Sequence, residues 1–406
     1  MSLPAGAGNR LVTGAFAGTW NDLEPVDLPA AAAVFCATHL DAVRTLSSVV
    51  RDGTGEVLIA AANRFEPELV QSLSDAGLAI VRLFGDEHTV QPAATPREPV
   101  PGRVWLLTSG STGRPKQVAH TLESLTTVGG EQPRRTWLCP YTPGAYAWWQ
   151  VVTLGLGTPG QDIVFIEPDR LGDWADLAVE HGVTAISGTP TFWRQSLMQS
   201  GQTLADLRLE QATLGGEPVD QRVLDQVQDA FPEARVSWIY ASSEAGASIA
   251  VHDGIAGFPV EWLDRHVPGR PGLSVVADEL VLESPKRGEG ISARLRTGDR
   301  VETRDGRVLI VGRLASDEIN VGGAKVSAAH VREVLLNHPL VTWAAVKGRR
   351  APLVGTVVAA DVVAEPGVTE TELARYAAAH LADHAVPRRF RLLDSIPLKE
   401  SLKSDV

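Results

Sequence analysis

Residues 104–116 read Val-Trp-Leu-Leu-Thr-Ser-Gly-Ser-Thr-Gly-Arg-Pro-Lys. An apolar run is followed by Thr108, Ser109, Gly110, Ser111, Thr112 and Gly113, and then, past Arg114 and Pro115, by Lys116. The run Val104–Leu107 predicts a buried strand. In the loop after it, glycines let backbone N–H groups approach an anion closely, hydroxyls add donors and Lys116 adds a positive charge. A strand feeding such a loop is a common way to hold nucleotide phosphates. The register excludes a Walker A loop: counted from Gly110, Pro115 stands where that motif requires glycine.

The bulk properties narrow the classes. A chain of 406 residues with 44% apolar residues can bury a large core and splits into two or more domains. The net charge of -12 gives nucleic-acid binding no electrostatic support. Cys36 and Cys139 stand far apart without metal-ligand spacing, as thiols in a reducing, cytoplasmic setting would. No signal peptide and no run of about 20 apolar residues is evident, so no membrane span is expected.

Apolar runs alternate with helical patterns. Strands are predicted at Val57–Ala62, Ala79–Leu83, Ile163–Ile166, Ala185–Ser187, Ala212–Leu214 and Val236–Tyr240. Helices are predicted at Glu66–Ala76, Trp174–Glu180 and Val219–Ala230. The alternation implies α/β layers around a largely parallel sheet. After Pro268 the texture changes to strands Glu279–Glu283 and Val308–Val311, with a hairpin signal at Arg304-Asp305-Gly306. The last ninety residues give a small α+β pattern: helix Ser327–Leu336 capped by Ser327, strands Val341–Val346 and Val354–Val363, and helix Thr369–Leu381. The polar segment Arg313–Ser316 marks the boundary, dividing the chain into 1–313 and 314–406.

Further motifs follow the loop in order. Leu214-Gly215-Gly216-Glu217-Pro218 ends a strand in two glycines, which lets a flat ring lie against bare backbone. Then come Tyr240-Ala241-Ser242-Ser243-Glu244, Arg296-Thr297-Gly298-Asp299 with Gly312-Arg313, Asp317–Val326 with Gly322, Gly323 and Lys325, and Ile396–Lys403. Taken singly, each reads equally well as a turn, a solvated carboxylate or a tail lysine. Their order decides otherwise.

In that order they resemble the adenylate-forming superfamily: acyl- and aryl-CoA synthetases, peptide-synthetase adenylation domains and luciferases. The resemblance covers about residues 100–406. It implies a large N-terminal α/β domain of layered sheets and helices, compact and with a trimmed N-terminus, plus a small mobile α+β C-terminal domain. It implies ATP and Mg²⁺, with CoA or a carrier protein as thiol acceptor. Thr108–Gly113 would contact the ATP phosphates, with Lys116 near the departing pyrophosphate. Gly215, Gly216, Glu217 and Pro218 would form one wall of the adenine pocket, and Tyr240 would stack on the base. Ser243, in place of the usual Thr, would reach the α-phosphate, and Glu244 would bind Mg²⁺. Asp299 would accept both ribose hydroxyls, with Arg313 adding a ribose contact. Lys403 would set a cation between the attacking carboxylate and the α-phosphate.

Departures also stand out. Ala241 replaces the usual Gly. Lys399 and Leu402 replace Thr and Gly in the terminal motif. One extra residue lies between Arg313 and Ile319, and His330 and Arg332 replace acidic residues beyond the thiol-step loop of Gly322, Gly323 and Lys325. By resemblance the substrate pocket lies among Trp148, Trp149, Ser187, Gly188, Thr189, Ala241 and Ser242. At least one of the two tryptophans reads better as a helix packing face. No aspartate matches the α-amine ligand of amino-acid-activating domains, which disfavours an α-amino acid. The leading expectation is an AMP-forming ligase that adenylates an aryl or acyl acid and passes it to a thiol. The alternatives are a diazotase that activates nitrite and diazotises an aryl amine, and a nucleotide-binding homologue without catalysis.

Overall fold

The structure, a computed structural model, describes residues 4–53, 55–84, 87–108, 116–199, 201–314, 318–351 and 355–397. Two mixed sheets form its centre. The larger has eight strands in the order Gly246–Val251, Arg235–Ser242, Gln211–Gly215, Ala185–Gly188, Arg135–Cys139, Gln161–Phe165, Arg10–Thr13 and Phe16–Thr19. The second has six: Glu87–Gln91, Ala79–Phe84, Ala31–Cys36, Glu56–Ala61, Arg103–Thr108 and Lys116–Thr121. Inner strands pair in parallel and each outermost strand pairs antiparallel. Both faces of the inner strands are covered, so they read as continuous apolar runs. On Ala31–Cys36, Val34 and Cys36 face the main core, while Ala33 and Phe35 face a second cluster with Leu69 and Leu73.

Crossovers follow local rules. Helix His39–Asp52 starts at a capping box, in which Thr38 Oγ1 accepts from the Asp41 amide and Asp41 accepts from the Thr38 amide. It stops at Gly53, whose φ of 74° suits a residue without Cβ. Asp220 caps helix Gln221–Ala230 by accepting from the Val223 amide at 3.1 Å.

A third, antiparallel sheet orders Phe258–Pro259, Arg307–Arg313, Arg294–Arg304, Glu279–Glu283 and Gly272–Val276. Its expected turn is present, with Asp305 and Gly306 both at positive φ. Beyond it, hairpin Glu318–Val321/Ala324–Ser327, helices Ala328–Leu336 and Glu370–His380, and sheet Val341–Ala351/Gly355–Ala364/Arg389–Leu392 share a core of their own, centred on Val331, Leu335, Val362 and Leu373. Ser327 caps the first helix, as its sequence position predicts, and Thr369, expected as the first helical residue, caps the second.

Across the junction, the Arg222 guanidinium donates to the carbonyls of Leu336, His338 (2.7 Å) and Pro339 (2.7 Å). Arg304 pairs with Glu333 at 2.7 Å. No helix among the described residues is long and apolar enough to cross a membrane.

The predicted strands and helices appear with their ends moved by at most two residues, except that the strand expected at Val341–Val346 runs on to Ala351. The substrate-pocket reading of Trp148 and Trp149 does not survive. Both lie on helix Tyr146–Gly157 and are fully buried, packed edge to face, with Trp148 Nε1 donating to His39 Nδ1 at 3.3 Å. Each ring removes on the order of 200 Å² from water, roughly 5 kcal/mol, and that places both in the core rather than in a ligand wall.

Candidate active site

The loop after Thr108 closes an antiparallel pair. Thr108 lies opposite Lys116, and the strand running on from Lys116 continues to Thr121. Ser109, Gly110, Ser111, Thr112 and Gly113 lie outside the described residues, as does Lys403. The segment leaving the loop is thus a strand, not a helix.

Gly215 ends its strand against the neighbouring one, where a Cβ would stand 3.0 Å from the Ile239 carbonyl oxygen. Gly216 follows at φ 85°. Glu217 turns back, and its carboxylate accepts from the Thr191 amide at 3.0 Å. The Gly-Gly-Glu-Pro segment is thereby tied to the first turn of helix Pro190–Gln199. Thr189 is fully buried and its Oγ1 accepts from the Phe192 amide. Ser187 is bonded to the buried Tyr141 hydroxyl at 3.1 Å.

Tyr240 sits where the register shifts between Tyr240 and Ala241, a bulge that ends regular pairing beside the site. Its hydroxyl donates to Asp299 Oδ2, and Arg313 Nε lies 2.9 Å from Asp299 Oδ1. Asp299 and Arg313 are cross-strand partners. Burial raises the Asp299 carboxyl, while the Tyr240 hydroxyl and the Arg313 charge pull it back. Burial, and then the charge of Asp299, pushes the Tyr240 phenol up. Behind them, Glu279 accepts from the Gly298 amide at 2.8 Å and from Arg296, which fixes the Thr-Gly-Asp bend.

Ser243 and Glu244 occupy the turn between strands Arg235–Ser242 and Gly246–Val251. Ser242 Oγ accepts from the Ala245 amide at 3.0 Å, and the Gly288 amide donates to the Glu244 carbonyl at 2.9 Å. Among the described residues the Glu244 carboxylate accepts no hydrogen bond. No group of three or more candidate metal ligands occurs among them either. One open carboxylate fits Mg²⁺, which takes few protein ligands when phosphates supply the rest.

Gly322 and Gly323 form the tip of a β-hairpin, at φ 58° and 93°, and Lys325 reaches Glu318 at 3.1 Å on its exposed side. His120, which carries none of the sequence motifs, and Tyr146, in the aromatic segment that also holds Trp148 and Trp149, both belong to the site region. His120 bonds to the Ser243 carbonyl, and the Tyr146 hydroxyl accepts from the Ala247 amide at 2.8 Å. No local pattern marks His120: burial does not alternate along its strand, where Val118, Ala119 and His120 are all buried.

The family model for AMP-binding enzymes matches residues 26–296, and the model for the C-terminal domain of AMP-binding enzymes matches residues 330–403. The chain belongs to the AMP-binding enzyme family. It is 28% identical to a dimodular nonribosomal peptide synthase of Bacillus subtilis over 74% of its own length, but spans only 14% of that synthase. It is 27% identical to a 2-succinylbenzoate–CoA ligase of Bacillus velezensis, over 73% of this chain and 66% of the ligase. It is 25% identical to the fatty acid–[acyl-carrier-protein] ligase ScoC of Streptomyces coeruleorubidus, over 83% of this chain and 72% of that one. Among solved structures, the anthranilate CoA ligase AuaEII with anthranoyl-AMP shares the fold, with a TM-score of 0.72 at 16% identity, covering 98% of this chain and 92% of that one. The O-succinylbenzoate coenzyme A synthetase of Bacillus subtilis with AMP gives a TM-score of 0.69 at 20% identity, covering 98% and 94%. Both of these solved structures thus share the fold of nearly the whole chain.

Proposed function

We propose that this chain joins a carboxylic acid, aryl or acyl rather than α-amino, to AMP with release of pyrophosphate, and then transfers the acyl group to the thiol of CoA or of a carrier protein. The observation that carries the reading is the convergence of Tyr240, Asp299 and Arg313, from two different sheets, beside the turn that presents Ser243 and Glu244.

In this reading an acid carboxylate oxygen attacks the α-phosphorus. A new O–P bond forms, the bond to pyrophosphate breaks, and the electron pair leaves with pyrophosphate. Tyr240 and Gly215–Pro218 hold the base, while Asp299, positioned by Arg313, accepts from the ribose hydroxyls. The hydroxyls of Thr108–Thr112 and Lys116 offset charge on the leaving group, and Ser243 donates to the α-phosphate. Glu244 would hold Mg²⁺, which neutralises phosphate charge when bound. Lys403 supplies a cation between two anions, and the small domain from about residue 314 brings it in. For the second step the thiol sulfur, its proton lost to solvent, attacks the acyl carbon; a C–S bond forms, the bond from that carbon to the phosphate oxygen breaks and AMP leaves, with the Gly322–Gly323 hairpin and Lys325 lining the approach of the thiol. The acid lies beside Ser187, Gly188, Ala241 and Ser242.

The test is ATP–pyrophosphate exchange with a panel of aryl and aliphatic acids, then thioester formation with CoA or a phosphopantetheinylated carrier. Exchange with a carboxylic acid and thioester product are expected. Turnover only with nitrite and an aryl amine, or ATP binding without any turnover, would replace this reading.

A further inference from the structure

His120 lies on the strand leaving the phosphate loop, four residues past Lys116, and its ring is buried. Nε2 is 2.7 Å from the carbonyl oxygen of Ser243. A carbonyl only accepts, so Nε2 carries the proton. Nδ1 is 2.8 Å from Ser124 Oγ, which donates to it when the ring is neutral. Ser124 belongs to the short helix Leu122–Leu125 that Thr121 caps, so the ring is oriented at both nitrogens.

Three segments close around the Nε2 end of the ring. Strand Lys116–Thr121 contributes His120 itself, the turn 243–245 contributes the Ser243 carbonyl, and Gly288 packs against both. A side chain on Gly288 would run into Val118 and stand 3.3 Å from His120 Nε2. The Gly288 amide holds the Glu244 carbonyl, and the Glu289 amide holds the Ala119 carbonyl at 2.7 Å. All of these bonds grip backbone. None uses the Ser243 hydroxyl or the Glu244 carboxylate, so the turn is fixed while its functional groups stay available. The bond also crosses sheets, since His120 lies on an edge strand of the six-stranded sheet and Ser243 follows a strand of the eight-stranded one.

We propose that His120 is a positioning residue that bolts the Ser243–Glu244 turn to the strand leaving the phosphate loop, so that both elements hold one triphosphate at a set spacing. This rests on the reading above, that loop and turn share the phosphates of ATP. Phosphoryl chemistry is sensitive to such spacing: a displacement of about 1 Å can cost about 100-fold in rate. A histidine that merely filled the core would affect folding and leave the turn's chemistry alone.

Two variants separate these roles. His120→Leu keeps bulk and removes the donor, and His120→Gln returns an N–H near the Nε2 position. Amide hydrogen exchange over residues 242–247, without nucleotide, reads the bolt directly. Calorimetric ATP binding with Mg²⁺ and with EDTA reads its consequence without needing the acid.

His120→Leu is expected to speed exchange at 243–245, to lose about tenfold of ATP affinity in Mg²⁺ and little in EDTA, and to lower the exchange-reaction kcat about tenfold or more at unchanged acid KM. His120→Gln is expected to recover most of each loss. If His120→Leu proves unstable, Ser124→Ala removes only the outer partner and is expected to show the same pattern at about threefold. Wild-type amide exchange and Mg²⁺ dependence in folded His120→Leu would overturn the bolt, as would equal losses in Mg²⁺ and EDTA that His120→Gln does not rescue. A wild-type protein that binds no ATP would instead overturn the reading of the site.

Discussion

The hydroxyl of Tyr240 donates to the carboxylate of Asp299, across 59 residues of chain and from one sheet to another. The pair divides two tasks expected of the site, base stacking and ribose binding, between groups that also hold each other. Tyr240→Phe keeps the ring and removes only the donor, so ATP affinity should fall less than about threefold. Tyr240→Ala removes the ring and should cost roughly 1–3 kcal/mol, about 5- to 150-fold. Asp299→Asn, which loses hydrogen bonds to a charged acceptor, should cost roughly 1.5–3 kcal/mol. Calorimetric titration of the three variants measures this, and equal losses in Phe and Ala would assign the effect to the hydroxyl.

A second prediction concerns Glu56, whose side chain is fully buried beside strand Arg103–Thr108. It accepts from Arg97 at 2.6 and 2.8 Å, from the Val100 amide at 2.8 Å and from Trp105 Nε1 at 2.6 Å. Burial by itself would raise the carboxyl, and these donors outweigh it and hold it below the ordinary glutamate value. A depressed folded pKa adds stability above the unfolded value of about 4.3, and that stability is lost as pH falls through the folded pKa. Urea melts between pH 7 and pH 3 should show this loss. Glu56→Gln should lower stability at pH 7 by roughly 2–4 kcal/mol and flatten the acid limb.

Arg222 carries a prediction about the two cores. Its guanidinium closes the carbonyl end of helix Ala328–Leu336, where otherwise unpaired carbonyls favour a cation. Arg222→Ala should loosen the small domain without unfolding the large one. Limited proteolysis between residues 313 and 319 should accelerate several-fold while the main melting transition moves little. Cleavage at the wild-type rate would assign the contact no holding role.

Lys403 is expected to act on the first half-reaction through charge alone. A cation about 4 Å from an anion at an effective dielectric near 20 is worth roughly 4 kcal/mol, on the order of 100- to 1,000-fold in rate. Lys403→Ala should lose ATP–pyrophosphate exchange by that factor and keep ATP binding within a few-fold. Unchanged exchange would move the role to another residue.

Periodicity made most elements legible because buried parallel strands and amphipathic helices leave short-range patterns. The strand at Glu279–Glu283 and the cap at Ser327 follow from adjacent residues only. Trp148 and Trp149 were ambiguous for a physical reason: an aromatic face packs equally well against a core or a flat ligand, and only the neighbours decide. His39, stacked on Phe165 and bonded to Trp148, shows what those neighbours were. The first hundred residues carry no site motif, yet they supply strands to both large sheets.

By itself the sequence determined the kinds of chemistry present: hydroxyls and glycines before Lys116, a tyrosine three residues before Ser243, an aspartate after Thr-Gly, and an order that matches an adenylating family. Those are properties of residues close in the chain. Only the tertiary structure decided that Tyr240 and Arg313 share Asp299, that Glu217 serves the start of another helix, and that His120 reaches the Ser243 carbonyl. These contacts join residues from 14 to 123 positions apart. Their partners are chosen by sheet order and burial, which no local pattern encodes.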